Sequence, residues 1–231
     1  MSHAHVSLQT AAVELPSLGR NEWAPPHVPA TFALSSELTG ATMPFTRNSE
    51  IYGEREPAEF LYQVVSGAVR TYKVLADGRR QIASFYLPGD LFGIEVGNSH
   101  AFSAEAIVNS KILVIKRSRV AELATRDGNV SRQLFDAVGR ELQRVQDHLM
   151  LLIKTAQERV AGFLLEMAKR RPGCTEIDLP MSRQDIADYL GLTIETVSRT
   201  ITSLEQARMI ALPSARTIIL SNRAALGRLG N

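Results

Sequence analysis

Cysteine is nearly missing from this sequence: Cys174 stands alone in 231 residues. One thiol cannot close a disulfide within the chain, and it cannot supply a Cys-ligated zinc site or a four-thiolate iron–sulfur cluster. Long apolar runs are missing as well. No stretch approaches the ~18 residues of a membrane span, and the opening MSHAHVSLQTAAVELPSLGR lacks the cationic flank and apolar segment of a secretory signal. Nor does one sign of charge dominate. The 26 Lys and Arg nearly balance 24 Asp and Glu, so the total alone names no polyanionic partner. Histidine is sparse too: His3 and His5 lack convergent partners, and His100 is the only histidine between 46 and 120. A metalloenzyme built on a β-barrel needs His and acidic ligands clustered on its strands. Neither a metal site, a cofactor nor an enzyme is therefore expected. What remains is globular in balance, 45% hydrophobic and 22% charged, and long enough for one to two domains. The expectation is a soluble protein of the reducing cytoplasm, with no membrane partner.

The chain reads in four parts. Residues 1–45 carry Pro16, Pro25, Pro26, Pro29 and Pro44, which resist continuous helix or central strand and predict an extended N-terminal arm. Residues 46–128 change to short β segments between glycine turns. LYQVVSGAVRTYKVL holds two strands around Ser66-Gly67, Ala76-Asp77-Gly78 is a hairpin turn, and Pro88-Gly89-Asp90 is the next turn. Further β segments fall at FSAEAIV and KILVIKR, the grammar of a small antiparallel barrel or jelly roll. From about 129 to 171 the period is helical. Leu134, Val138, Leu142, Val145, Leu149 and Leu152 recur at spacings of three and four, a narrow apolar seam that suits a second helix better than a curved barrel wall. Residues 129–154 are therefore expected to be a dimerisation helix, with Pro172 and Gly173 closing the helical region.

The segment SRQDIADYLGLTIETVSRTITSLEQ, 182–206, is the most informative. Ser182 followed by Asp185 approximates a capping box. A helix from Arg183 to Leu190 would turn Ile186, Ala187 and Leu190 inward, and Gly191 would reverse the chain. Thr193 then caps a second helix with Val197, Ile201 and Leu204 inward. That is the spacing of a helix-turn-helix. Glu195, Thr196, Ser198 and Arg199 are left outward in its first two turns. Arginine can donate two bonds to guanine and a carboxylate can accept from cytosine, so this face is expected to read bases of double-stranded DNA. MIAL, Pro213-Ser214-Ala215-Arg216 and TIIL then read as strand, turn and strand, a wing. From Arg199 onward there are five arginines and a single acid, Glu205, a local positive field that the chain total conceals.

Barrel, long helix and winged helix-turn-helix, in that order, resemble the CRP/FNR superfamily of bacterial transcription regulators. The resemblance covers about 46–231 and is carried most specifically by TAQERVAGFLLEMAKR and MSRQDIADYLGLTIETVSR. It implies an α+β fold: a double-stranded β-helix (jelly-roll) barrel, a dimerisation helix, and a winged helix-turn-helix domain over 155–231. The Glu-x-x-Ser-Arg triplet of the FNR and FixK branches stands here as Glu195, Ser198 and Arg199. It implies a TTGAT-N4-ATCAA-like palindrome, with Ser182, Arg183, Gln184, Thr193 and Thr196 on backbone phosphates and RNA polymerase as partner. Cyclic-AMP receptors of the family hold the phosphate with an Arg-Ser pair; His100-Ala101 occupy that slot here, although Glu95 is kept. The N-terminal cysteine cluster of iron–sulfur oxygen sensors is missing. The chain is therefore most similar to the FixK subgroup, which implies an activator of genes for low-oxygen respiration, denitrification or nitrogen fixation. An effector-gated sensor binding haem, through His100 or His148, or another small molecule is the alternative.

Overall fold

Short runs in which apolar residues alternate, broken by Asp-Gly and Pro-Gly, can bury one face only by stacking sheet on sheet. In the computed structural model, which describes residues 40–170 and 174–230, they do so as two four-stranded antiparallel sheets. One has the order β1 (Ala41–Phe45), β8 (Ser110–Lys116), β3 (Phe60–Ser66), β6 (Leu91–Phe92). The other has β2 (Glu50–Tyr52), β7 (Ser103–Ala106), β4 (Val69–Val74), β5 (Arg80–Tyr86). Tyr52, Tyr62, Val64, Val69, Phe92 and Ile112 fill the space between them. The Asp-Gly turn joins β4 to β5 as expected, closed by Leu75 N–H to the Arg79 carbonyl at 2.8 Å. Gly67, between β3 and β4, has φ +88°, and a Cβ there would lie 2.2 Å from Ser110 Oγ. Only glycine fits.

Two expectations change at the barrel. Its first strand starts at Ala41, inside the stretch assigned to the arm. Pro44 is tolerated because β1 is an edge strand, where one ladder bond fewer costs little. The rest of the arm, with His3 and His5, lies outside the described residues. A helix that the sequence did not announce, α1 (Arg117–Arg126), follows β8; it has no side-chain N-cap and buries only Val120.

The helical region holds two helices. α2 (Gly128–Leu152) is capped by Asp127, which accepts the Asn129 N–H at 2.8 Å. After Ile153–Thr155 the chain restarts as α3 (Ala156–Lys169), and the Thr155–Glu158 capping box closes its first turn. Pro172 and Gly173, expected to end the helical region, lie outside the described residues. Beyond them come β9 (Glu176–Asp178), α4 (Arg183–Leu190), α5 (Ile194–Gln206), β10 (Thr217–Ile219) and α6 (Arg223–Gly230), which packs on α3.

The wing differs from the expected hairpin. β10 pairs with β9, Ile218 opposite Ile177, and MIAL contributes a single bridge, Ala211 to Ile219. The partner strand comes from 176–178, three residues too short to show a period. One apolar core runs from the outer face of β4–β5 into the C-terminal domain: Phe85 meets Phe163 of α3 and Tyr189 of α4 at ring distances of 6.2 and 5.1 Å. Among the described residues no helix is long and apolar enough to cross a membrane.

Candidate nucleic-acid interface

The two-helix unit forms as its sequence dictates. Ser182 Oγ accepts the Asp185 N–H at 3.1 Å and Asp185 Oδ2 accepts the Ser182 N–H at 3.0 Å, so the capping box is complete. Gly191 ends α4 in the left-handed region, φ +63°, where a side chain is disfavoured. Thr193 Oγ1 accepts the Thr196 N–H at 3.2 Å and opens α5. Ile186, Ala187 and Leu190 of α4 meet Val197, Ile201 and Leu204 of α5, all at most 2% exposed. With that stripe fixed inward, Glu195, Ser198 and Arg199 face solvent together on the first two turns of α5, and Thr196 is half-buried beside them.

Charge is set to suit. The Glu195 carboxyl is held below the usual carboxylate range by its own backbone N–H, the Thr193 hydroxyl and the Arg199 guanidinium, so it is an acceptor at neutral pH. Arg199, Arg208, Arg216, Arg223 and Arg228 are all exposed. The residues expected on phosphates are more constrained. Ser182 and Thr193 spend one acceptor site each on caps, and Gln184 donates to Asp188 Oδ1 at 2.6 Å. Arg183 is half-buried beside the wing turn. Its Nη2 lies 3.4 Å from the Ala215 carbonyl, and burial lowers its pKa.

The seam of α2 divides. Val138, Leu142, Val145 and Leu149 are 47–61% exposed and lie along one stripe. Phe135, at 76%, Met150 and Ile153 extend it; Phe135 stands three residues before Val138, in step with the stripe, but the sequence seam takes its neighbour Leu134 instead. The two ends turn elsewhere. Leu134 packs with Leu61 and Ile115 of its own barrel and Val120 of α1, and Leu152 is half-buried, 3.9 Å from where a Cβ on Gly191 would stand.

Between barrel and α2 lies a cavity of about 360 Å³. Its polar lining includes Glu95 and Glu141, with no Lys or Arg. His100 is 2% exposed and stacked on Tyr52 at 3.6 Å; Glu95 instead accepts the Ala101 N–H at 3.1 Å. His148 donates from Nε2 to the Tyr189 carbonyl at 2.8 Å and stacks on that ring at 3.9 Å. Both His100 ring nitrogens are buried without a hydrogen-bond partner. Cys174 is half-exposed and unpaired, and among the described residues no group of three or more His, Cys, Asp or Glu could hold a metal.

Two family models match this chain, a cyclic nucleotide-binding domain over residues 42–127 and a Crp-like helix-turn-helix domain over 158–229. The chain belongs to the CRP/FNR family. Within it the kinship is to FixK. Nitrogen fixation regulation protein FixK of Azorhizobium caulinodans is 52% identical over 196 residues, 82% of this chain and 79% of that one. Its namesake in Rhizobium meliloti is 45% identical over 183 residues, covering 79% and 83%. The solved structure of FixK2 from Bradyrhizobium japonicum superposes with a TM-score of 0.80 at 49% identity, over 84% of this chain and 98% of that one. This CRP/FNR member is accordingly a DNA-binding transcription regulator and not an enzyme. The most buried polar feature of its helix-turn-helix, the hold of Arg70 and Arg80 on Asp185, escaped sequence reasoning. Nothing in 115 residues of separation signals such a pairing.

Proposed function

We propose that two copies pair through the exposed stripe of α2 and set two α5 helices ~34 Å apart, one turn of B-DNA. They read a TTGAT-N4-ATCAA-like palindrome. The observation that carries this reading is the shared outward face of Glu195, Ser198 and Arg199 over a buried Val197–Ile201–Leu204 stripe. Arg199 is matched to guanine and Glu195 to cytosine; Ser182, Gln184, Thr193 and Thr196 lie where phosphates would pass, with Arg183 reaching them once it leaves Ala215. The exposed arginines around the wing supply the salt-sensitive part of the affinity. By its FixK kinship the regulator acts in the cytoplasm, recruits RNA polymerase, and activates genes of low-oxygen respiration, denitrification or nitrogen fixation. Selection of bound sequences from random duplex DNA at stated salt is expected to return the inverted repeat. Enrichment without a repeat, or none at all, overturns the reading.

The cavity favours a second reading, an effector-gated regulator. With Glu95 and an Arg144-paired Glu141 but no Lys or Arg in its lining, it offers a cyclic phosphate no cationic partner and suits a neutral small molecule. A thermal-shift screen against metabolites and an absorbance spectrum for haem separate the two readings.

A further inference from the structure

The only covalent route from α2 to α3 is the turn Ile153–Thr155. Domains joined in this way move relative to each other unless the interface between them is large and apolar. Here, beyond the shared apolar core, the helix-turn-helix is fastened at both ends of α4, by barrel side chains at its N-terminal end and by side chains of β5, α2 and α3 at its C-terminal end. At the N-terminal end, Asp185 is 3% exposed and uses both oxygens. Oδ2 closes the capping box. Oδ1 accepts from Arg70 Nη1 at 2.8 Å and from Arg80 Nη2 at 2.7 Å. Arg80 Nε continues to Asp188 Oδ2 at 2.8 Å, and Arg70 Nη2 is braced by Glu105 Oε1 at 2.8 Å. At the C-terminal end, Gln81 and His148 donate to the Tyr189 carbonyl and Arg159 Nη1 donates to that of Leu190 at 2.9 Å.

We propose that Arg70 and Arg80 are positioning residues for DNA reading: from the barrel, they fix the angle at which the helix-turn-helix is presented. The apolar contact of Phe85 with Tyr189 and Phe163 already provides adhesion, but the hydrophobic effect behind it is non-directional. A buried ion network adds little net stability, because desolvation offsets its attraction, but its bonds are directional. What it supplies is register. Because α4 and α5 share one core through Gly191, rotation of α4 carries the base-reading face with it. Half-site sequence is read locally by α5, whereas the spacer between half-sites is read by the angle between two heads. Losing the two arginines therefore loosens spacer choice and leaves base choice intact.

The spacer argument rests on the paired reading proposed above, so the test has one arm that does not need DNA. Labels placed by Lys111→Cys on β8 and Gln206→Cys on α5, both exposed positions, in a Cys174→Ser background diluted with unlabelled chain, report the barrel-to-head distance by pulsed dipolar spectroscopy. One narrow distance is expected, and a distribution at least twice as broad in Arg70→Met/Arg80→Met. An unchanged width overturns the proposal whatever the DNA does. In the second arm, duplexes with spacers of three to six base pairs are compared. The parent is expected to prefer one spacer at least tenfold and the double variant by less than threefold, both keeping the same TTGAT preference. Arg70→Lys/Arg80→Lys is expected to recover part of the preference. Absence of half-site preference in the parent defeats the paired reading and leaves the first arm to decide. If the double variant does not fold, Arg80→Gln alone, whose side chain is 26% exposed, carries both arms with the same outcomes.

Discussion

Truncation of Leu142 tests the pairing proposed for α2 apart from its packing on the barrel. Leu142 is 56% exposed in the single chain, so just over half of its surface is free for a partner. Full burial of a leucine contributes ~1.5–3 kcal/mol, and that free half is therefore worth about 1 kcal/mol. In a two-fold interface every substitution occurs twice. Leu142→Ala is thus expected to cost ~2 kcal/mol of association, a roughly 30-fold rise in dimer Kd. Adding Leu149→Ala, 61% exposed, brings the rise toward about 1000-fold. Leu134→Ala is the internal control. Its side chain packs on Leu61, Ile115 and Val120, so it should lower the unfolding midpoint and leave the dimer Kd within about threefold. Sedimentation equilibrium and thermal unfolding on the same samples read both quantities. The reasoning is refuted if Leu134→Ala weakens pairing as much as Leu142→Ala, or if the Leu142–Leu149 pair leaves it unchanged.

Three further outcomes follow from single groups. Arg199→Ala should remove ~1–3 kcal/mol of discrimination at one base pair and keep residual, salt-sensitive binding; competition titrations that show equal loss on specific and random duplexes would contradict base reading. Gly191→Ala makes only ordinary van der Waals contacts, the nearest atom being Arg159 Nη1 at 3.6 Å, so its cost is the left-handed backbone alone. That is ~1–2 kcal/mol, or a fall of roughly 2–8 °C in Tm; Gly67→Ala, with Ser110 Oγ at 2.2 Å, should cost clearly more. Burial holds the His148 ring below the usual histidine range. The unfolded chain then binds the extra proton first as pH falls, so this contribution is complete above about 6.5 and fades below it. His100 runs the same way and half-buried Glu166, pushed up by desolvation, runs oppositely. The diagnostic is therefore a shallower Tm slope between pH 6.5 and 5 in His148→Gln than in the parent.

Legibility followed the range of each interaction. The Ser182–Asp185 capping box, the Thr193 cap, the Asp-Gly hairpin and the Ala187–Gly191–Val197 spacing are local, and the structure returns them at the expected residues. Weak or absent local signals were missed. α1 has no cap and one buried side chain, and β9 is three residues whose partner lies some forty positions away. The α2 seam was half legible, since periodicity finds the apolar stripe but cannot say which neighbour covers each end. Leu134 and Val138 look alike in sequence; only the barrel wall beside Leu134 tells them apart.

Asp185 shows why a correct local assignment can hide a second role. In sequence it is an acid three residues after a serine, and the capping box accounts for it fully. A cap, however, needs one oxygen and leaves the helix surface free, so its carboxylate should be exposed. Here it is 3% exposed, and burying a charge for a cap worth ~1 kcal/mol makes no energetic sense alone. The burial is intelligible only when the second oxygen meets Arg70 and Arg80, because a desolvated carboxylate needs compensating cations. The excess of burial over what the local motif requires is thus what reveals the contact between barrel and helix-turn-helix. It also separates Ser182–Asp185 from Thr155–Glu158, where the same box, at an exposed helix start, caps a helix and nothing else.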